Sequence, residues 1–292
     1  MSDSVELIIE AQATLGEGAI WDSKKRLFYW VDILEKQLHI FNPATSEDRT
    51  FYLDQYVGTV VPRKAGGLML GLYHGFASFD PDTQALEIVH DPEPGRDTNR
   101  FNDGKCDPAG RFWAGTMELE GRPGAGSLYC MDTDLSVRRM LEKTGISNGI
   151  AWSLDHTTMY YIDTLTWQVA AFDYDIKTGS IANRRPTITF TKEMGHPDGM
   201  TIDEEGMLWI ALCFGGRVTR WNPSNGELLQ SIHVPARLVT SCAFGGPNLE
   251  QLYITTARVT LDEAALRELP LAGSVFRAEP GVRGIPAYEF GG

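Results

Sequence analysis

The chain has 292 residues, 42% of them hydrophobic and 10% aromatic, so it can bury enough apolar surface to fold without disulfide or metal staples. Its formal net charge of -13 argues against a nucleic-acid partner, because binding a polyanion needs a basic footprint that releases counterions, and it disfavours anionic membrane surfaces for the same reason. The four cysteines, Cys106, Cys130, Cys213 and Cys242, form no C-x-x-C pair and read as buried free thiols.

The N-terminal MSDSVELIIEAQ is acidic where a secretion signal is basic, and its apolar stretch is too short for one. No run approaches the roughly 20 apolar residues that span a bilayer. A cytoplasmic protein with one domain over residues 1–292 is the expectation. From Gly16 the chain reads GEGAIWDSKKRLFYWVD: a polar residue beside glycine, a short apolar strand, a turn, and a second, aromatic-rich strand. The same order returns in NDGKCDPAGRFWAGTM from Asn102, NGIAWSLDHTTMYYID from Asn148 and DGMTIDEEGMLWIAL from Asp198.

A third strand closed by a turn follows in six copies: KQLHIFNPATSE, GFASFDPDTQ, GSLYCMDTDLS, WQVAAFDYDIKTGS, GRVTRWNPSNGE and GSVFRAEPGV. Period-2 alternation closed by N-P, D-P or K-T-G is the pattern of half-buried antiparallel strands joined by tight turns. A fourth, outer strand shows in ALEIVHD, VRRMLEK, PTITFTK and LLQSIHV, and LDEAALREL near Leu261 has the composition of a short helix inserted in the last unit. Six such units predict an all-β fold, a six-bladed β-propeller with four-stranded blades around a central channel, which the register below marks as a metal channel. A β-sandwich also has short strands and frequent turns but does not require six similar units.

Counting back five residues from the turn residues Asp22, Asp107, Ser153 and Asp203 gives Glu17, Asn102, Asn148 and Asp198, all at the start of the innermost strand; the same alignment puts Gly58 and Thr240 in the second and sixth units. Asn148-Gly149 and Asp198-Gly199 taken singly are ordinary turn dipeptides, but four polar residues sharing one register point to a site on the axis. Two carboxylates meeting there repel unless a cation lies between them. Oxygen ligands favour Ca²⁺, Mg²⁺ or Mn²⁺, and zinc also accepts carboxylate oxygen. Trp113, Trp152, Tyr160, Tyr161 and Trp209 fall at strand positions and read as packing between units. His196, two residues before Asp198, is placed to line the pocket, although a lone loop histidine is more often simply solvated.

The blocks RFNDGKCDPAGRFWAGTM from Arg100, ISNGIAWSLDHTTMYYID from Ile146, HPDGMTIDEEGMLWIAL from His196 and TSCAFGGPNLEQLYITTAR from Thr240 resemble the senescence-marker-protein (regucalcin), gluconolactonase and luciferin-regenerating-enzyme family, over essentially the whole chain. The resemblance implies a six-bladed propeller with one divalent metal on Glu17, Asn148 and Asp198. It implies Asp198 as general base, Arg100 and Asn102 on the substrate, and Glu120 in a substrate-binding role, with Glu118 the alternative because the loop ELEGRPGAG is shorter than in the animal members. The expected activity is hydrolysis of sugar (aldono) lactones such as gluconolactone, by a monomer or weak homodimer whose partner is that small molecule. No G-x-S-x-G elbow is present to supply a covalent nucleophile. The competing readings are a calcium-binding regulatory protein without turnover and a phosphotriesterase-like hydrolase on the same residues.

Overall fold

A computed structural model describes residues 5–292. β1 (Glu6–Ile9) comes first, and the remaining strands follow in groups. The first unit is β2 (Gly16–Asp22), β3 (Leu27–Asp32), β4 (Gln37–Asn42) and β5 (Glu47–Tyr52); the second is β6 (Val57–Pro62), β7 (Leu68–Leu72), β8 (Gly75–Phe79) and β9 (Leu86–His90). β10 (Asn99–Cys106), β11 (Phe112–Glu118), β12 (Gly126–Met131) and β13 (Val137–Thr144) form the third, and β14 (Ser147–Trp152), β15 (Thr158–Asp163), β16 (Gln168–Asp175) and β17 (Ser180–Thr189) the fourth. The fifth holds β18 (His196–Ile202), β19 (Leu208–Cys213), β20 (Arg217–Asn222) and β21 (Glu227–His233), and the sixth β22 (Leu238–Gly245), β23 (Gln251–Ala257) and β24 (Val275–Ala278). The all-β expectation holds, and every third strand read from the sequence is present.

Within each unit consecutive strands pair antiparallel, which is why tight turns suffice as connections. The sixth unit is completed from the other end of the chain: β1 pairs with β24, Leu7 opposite Phe276. The fifth and sixth units also touch through one residue pair, Cys213 opposite Leu238. The first strand of each unit packs on the first strand of the next in a closed cycle, β2, β6, β10, β14, β18, β22 and back to β2. These inner strands are buried almost throughout because they have neighbours on both faces, whereas outer strands such as β5 and β9 are largely exposed. The predicted helix is α1 (Glu263–Glu268), between β23 and β24, capped by Asp262, which accepts from Ala265 N at 2.9 Å. No described helix is long and apolar enough to cross a membrane.

The turn residues that set the register act by local hydrogen bonding. Asp22 Oδ1 accepts from Lys24 N and Lys25 N, Asp107 Oδ1 from Ala109 N and Arg111 N, and Asp203 Oδ1 from Glu205 N and Met207 N, each at 2.9 Å. Ser153 Oγ accepts from Thr158 N at 2.9 Å in the fourth unit. The second oxygens of the aspartates reach inwards, and Asp22 Oδ2 accepts from Tyr29 Oη at 3.2 Å. Asp107 Oδ2 takes Trp113 Nε1 and Arg111 Nη1, both at 3.0 Å, and Tyr174 Oη at 2.7 Å. Asp203 Oδ2 takes Trp209 Nε1 at 2.9 Å and Arg220 Nε at 2.7 Å.

The C-terminal segment runs across this turn end of the inner strands. Gly284 N donates to Leu249 O at 2.8 Å, Tyr288 Oη bonds His156 Nε2 at 3.0 Å, and Phe290 N donates to Pro62 O at 2.8 Å. Phe290 is fully buried there. The cycle is therefore covered at the end where inner strands finish, and the candidate residues lie at the end where they begin.

Candidate metal and catalytic site

Every inner strand carries one extra residue near its start. From Glu17 to Ile20 the inner strand advances three residues while its partner advances two, from Val31 to Tyr29. The same offset occurs at Phe101–Gly104, Ser147–Ile150 and Pro197–Met200. In β6 and β22 the unmatched residues are Gly58 and Thr240. A bulge bends its strand and turns a side chain out of the pleat. Asn102, Asn148 and Asp198 are each the first residue inside their bulge, whereas Glu17 pairs with Val31 immediately before its own, and all four are buried.

Two of the six positions serve packing. Thr240 Oγ1 donates to Gly16 O and joins the sixth unit to the first. At Gly58 an added Cβ would meet Phe101 O at 2.3 Å and Asn102 O at 2.5 Å, the backbone that carries Asn102. Gly58→Ala is therefore expected to cost about 1–3 kcal/mol in urea unfolding.

The carboxamides are held in a chain of hydrogen bonds across three units. Arg100 Nη1 donates to Asn102 Oδ1 at 2.7 Å, and Asn102 Nδ2 donates to Ser147 O at 2.8 Å and Asn148 Oδ1 at 3.1 Å. Asn148 Nδ2 donates to Thr164 Oγ1 at 2.8 Å, and that hydroxyl donates to Pro197 O at 2.8 Å. The Asn148 nitrogen is thus committed, and its oxygen keeps a lone pair beyond the one Asn102 uses.

Glu17 and Asp198 are buried carboxylates within electrostatic reach of each other. Burial, then repulsion from Asp103, raises the Glu17 carboxyl well above the usual range; burial, then repulsion from Glu17 and Asp103, does the same for Asp198. Glu17 Oε2 accepts only a long bond from Gly18 N at 3.3 Å, and Asp198 Oδ1 is buried with no hydrogen-bond partner among the described residues. An orphaned carboxylate oxygen beside a second carboxylate and an open carboxamide oxygen fits a hard divalent cation. No three His, Cys, Asp or Glu side chains cluster as metal ligands among the described residues.

Because both carboxyls titrate high in the cation-free fold, the folded chain binds more protons than the unfolded one above the ordinary carboxylate pKa. Stability then falls as pH rises through that window. In chelator, melting of the wild type is expected to drop more from about pH 5 to about pH 8 than that of Glu17→Gln. Equal drops would contradict the coupling.

Arg100 is buried, its Nη1 donating to Phe101 O at 2.9 Å and Asn102 Oδ1 at 2.7 Å. Burial lowers its pKa to about 10 against the opposing pull of Glu17 and Asp198, so it stays charged beside them. Glu118 is buried at the end of β11 and is occupied by its own loop, accepting from Glu120 N at 2.9 Å and Arg122 Nη2 at 3.2 Å. Glu120 is exposed on that loop, with no hydrogen bond from its carboxylate among the described residues. Of the two, Glu120 is the one free to meet a ligand. His196 departs from the expectation of a solvated loop residue: it is half-buried between the Trp167 and Phe214 rings.

Trp113, Trp152, Tyr161 and Trp209 are buried and Tyr160 is half-buried, as packing requires; Cys106, Cys130 and Cys242 are buried free thiols and Cys213 is half-buried. Two charged groups went unread in the sequence. Asp103 sits in the β10 bulge, and Lys105, two residues on, donates from Nζ to Met200 O at 2.6 Å. Charges inside NDGKC, an inner strand flanked by apolar units, were the available signal. A surface cleft of about 940 Å³ bordered by Glu6, Glu204, Arg277 and Arg283 holds none of these residues, so the site is identified by chemistry and not by volume.

A family model described as SMP-30/Gluconolactonase/LRE-like region matches residues 15–258. Regucalcin of Danio rerio is 42% identical over 294 residues, covering 100% of this chain and 99% of its own. YvrE of Bacillus subtilis (strain 168), which carries the name of a candidate sugar lactone lactonase, is 39% identical over 290 residues, covering 99% of each. The crystal structure of a calcium-binding protein, regucalcin, from Agrobacterium tumefaciens is 28% identical with a TM-score of 0.94, covering 98% of this chain and 97% of that one.

Proposed function

The chain belongs to the SMP-30/gluconolactonase/LRE-like family, and from that premise we propose that it is a six-bladed propeller that hydrolyses sugar lactones, such as gluconolactone, to aldonic acids in a central channel. The observation that carries the reading is the buried Glu17–Asp198 pair with Asp198 Oδ1 unpartnered, where the bulged inner strands meet. Glu17, Asn148 and Asp198 would hold one divalent cation. That cation supplies Lewis acidity for the lactone carbonyl.

Asp198 takes a proton from the attacking water and returns it to the ring oxygen as the acyl C–O bond breaks. Its raised proton affinity in the bare site suits it to this exchange once a counter-charge is present. Arg100 and Asn102, locked to each other at 2.7 Å, hold lactone hydroxyls. Glu120 reaches the substrate from the rim. The lactone is an activated ester, so water suffices as nucleophile.

The test is hydrolysis of gluconolactone, xylonolactone, arabinolactone and galactonolactone after chelation and after adding back Ca²⁺, Zn²⁺, Mn²⁺ or Mg²⁺, with spontaneous opening subtracted. Activity that vanishes with chelator and returns with one of these ions is expected. Tight cation binding with no opening of any lactone would replace the lactonase reading with that of a calcium-binding protein, which the regucalcin names of its relatives keep in view.

A further inference from the structure

We propose that Trp167, His196 and Phe214 form an aromatic platform at the channel mouth that binds the C–H face of the lactone ring; this rests on the lactonase reading and adds to it a specificity-determining surface. All three stand at the end where inner strands begin. Trp167 closes the 3-10 turn after β15, and Thr164 in that turn is bonded both to the Asn148 side chain and to Pro197 O. His196 opens β18 two residues before Asp198, and Phe214 follows the last residue of β19.

The rings form a continuous row. Trp167 and His196 lie 4.3 Å apart between centroids, His196 and Phe214 5.5 Å, and the Arg237 guanidinium sits 5.4 Å from the Phe214 ring. Phe214 is 44% exposed, an unusual place for a phenylalanine in a turn. Trp167 at φ 57° and Phe214 at φ 64° both occupy the left-handed region, which bulky side chains avoid and which glycine enters freely. In the fifth unit Gly216 takes such a conformation at φ 62°. Lys36 takes the same conformation, at φ 58°, in the corresponding turn of the first unit, so the turn sets the backbone there and the row of rings is particular to the fourth and fifth.

A lactone sugar has a hydroxylated edge and an apolar C–H face. The third blade offers Arg100 and Asn102 to the first, and the fourth and fifth blades offer the aromatic row to the second. Stacked aromatic contact of this kind changes affinity about three- to tenfold.

The experiment compares kcat and KM of wild type, Trp167→Ala, Phe214→Ala and Trp167→Phe on D-glucono-1,5-lactone and on δ-valerolactone, which keeps the C–H faces and lacks hydroxyls, with bound cation measured in each. The expected result is a KM raised about three- to tenfold for both lactones in both alanine variants, kcat and cation content retained, and recovery in Trp167→Phe. Unchanged KM overturns the platform while leaving the lactonase reading intact. A fall in kcat with lost cation overturns it as well, by assigning the rings to support of the ligand strands. A wild type inert on every lactone takes down both.

Discussion

Asp198→Asn is expected to lower kcat for lactone opening about a thousandfold, the size that follows when a general base is removed from an otherwise intact site. Asparagine keeps the shape and one oxygen, so the β18 bulge and its packing persist. It cannot accept the proton of the attacking water. It also removes a buried carboxylate whose charged form burial, Glu17 and Asp103 all disfavour, so the cation-free variant melts no lower than wild type. Loss of turnover without loss of stability is the signature that separates chemistry from folding. Cation content belongs in the same measurement, because the substitution removes one charge from the proposed ligand set. Wild-type kcat in this variant would remove Asp198 from the mechanism.

Asp107→Ala unfolds the chain more easily by about 3–5 kcal/mol, the loss that follows when one partner of a buried ion pair is deleted. Asp107 is fully buried, and its Oδ2 alone satisfies Trp113 Nε1, Arg111 Nη1 and Tyr174 Oη, while Oδ1 holds the turn. Without it Trp113 loses its acceptor in a core shared with Trp152 and Tyr174. Arg111 keeps Ile176 O and Lys177 O at 3.0 and 2.8 Å but loses its nearest buried negative charge. Asp107→Asn retains an acceptor for the turn and is expected to lose less. Urea unfolding of the three proteins checks the order, and an alanine variant as stable as wild type would show that water replaces the carboxylate.

The strands and turns were legible because their causes are local. Period-2 alternation reports a half-buried strand wherever it occurs, and an aspartate or serine that accepts from the backbone two to five residues on makes its turn with no help from the rest of the chain. Counting from those turns puts Glu17, Asn102, Asn148 and Asp198 at one distance along the sequence. The count could not separate Gly58 and Thr240 from the polar four by role, since one makes room for a neighbouring backbone and the other bonds across a unit boundary.

What the sequence determined by itself, then, is the repeat, the all-β class, and which residue types share one register. The tertiary structure decided the rest because each remaining feature is defined by a partner far along the chain. A bulge exists only relative to the strand opposite, so nothing in NDGKC or HPDGM announces one. The sixth unit is closed by a strand more than 260 residues from its partner, Leu7 on Phe276. Asp103 becomes a buried charge and Lys105 a half-buried one only when β10 enters the cycle, and Trp167, His196 and Phe214 become a row only when three turns converge.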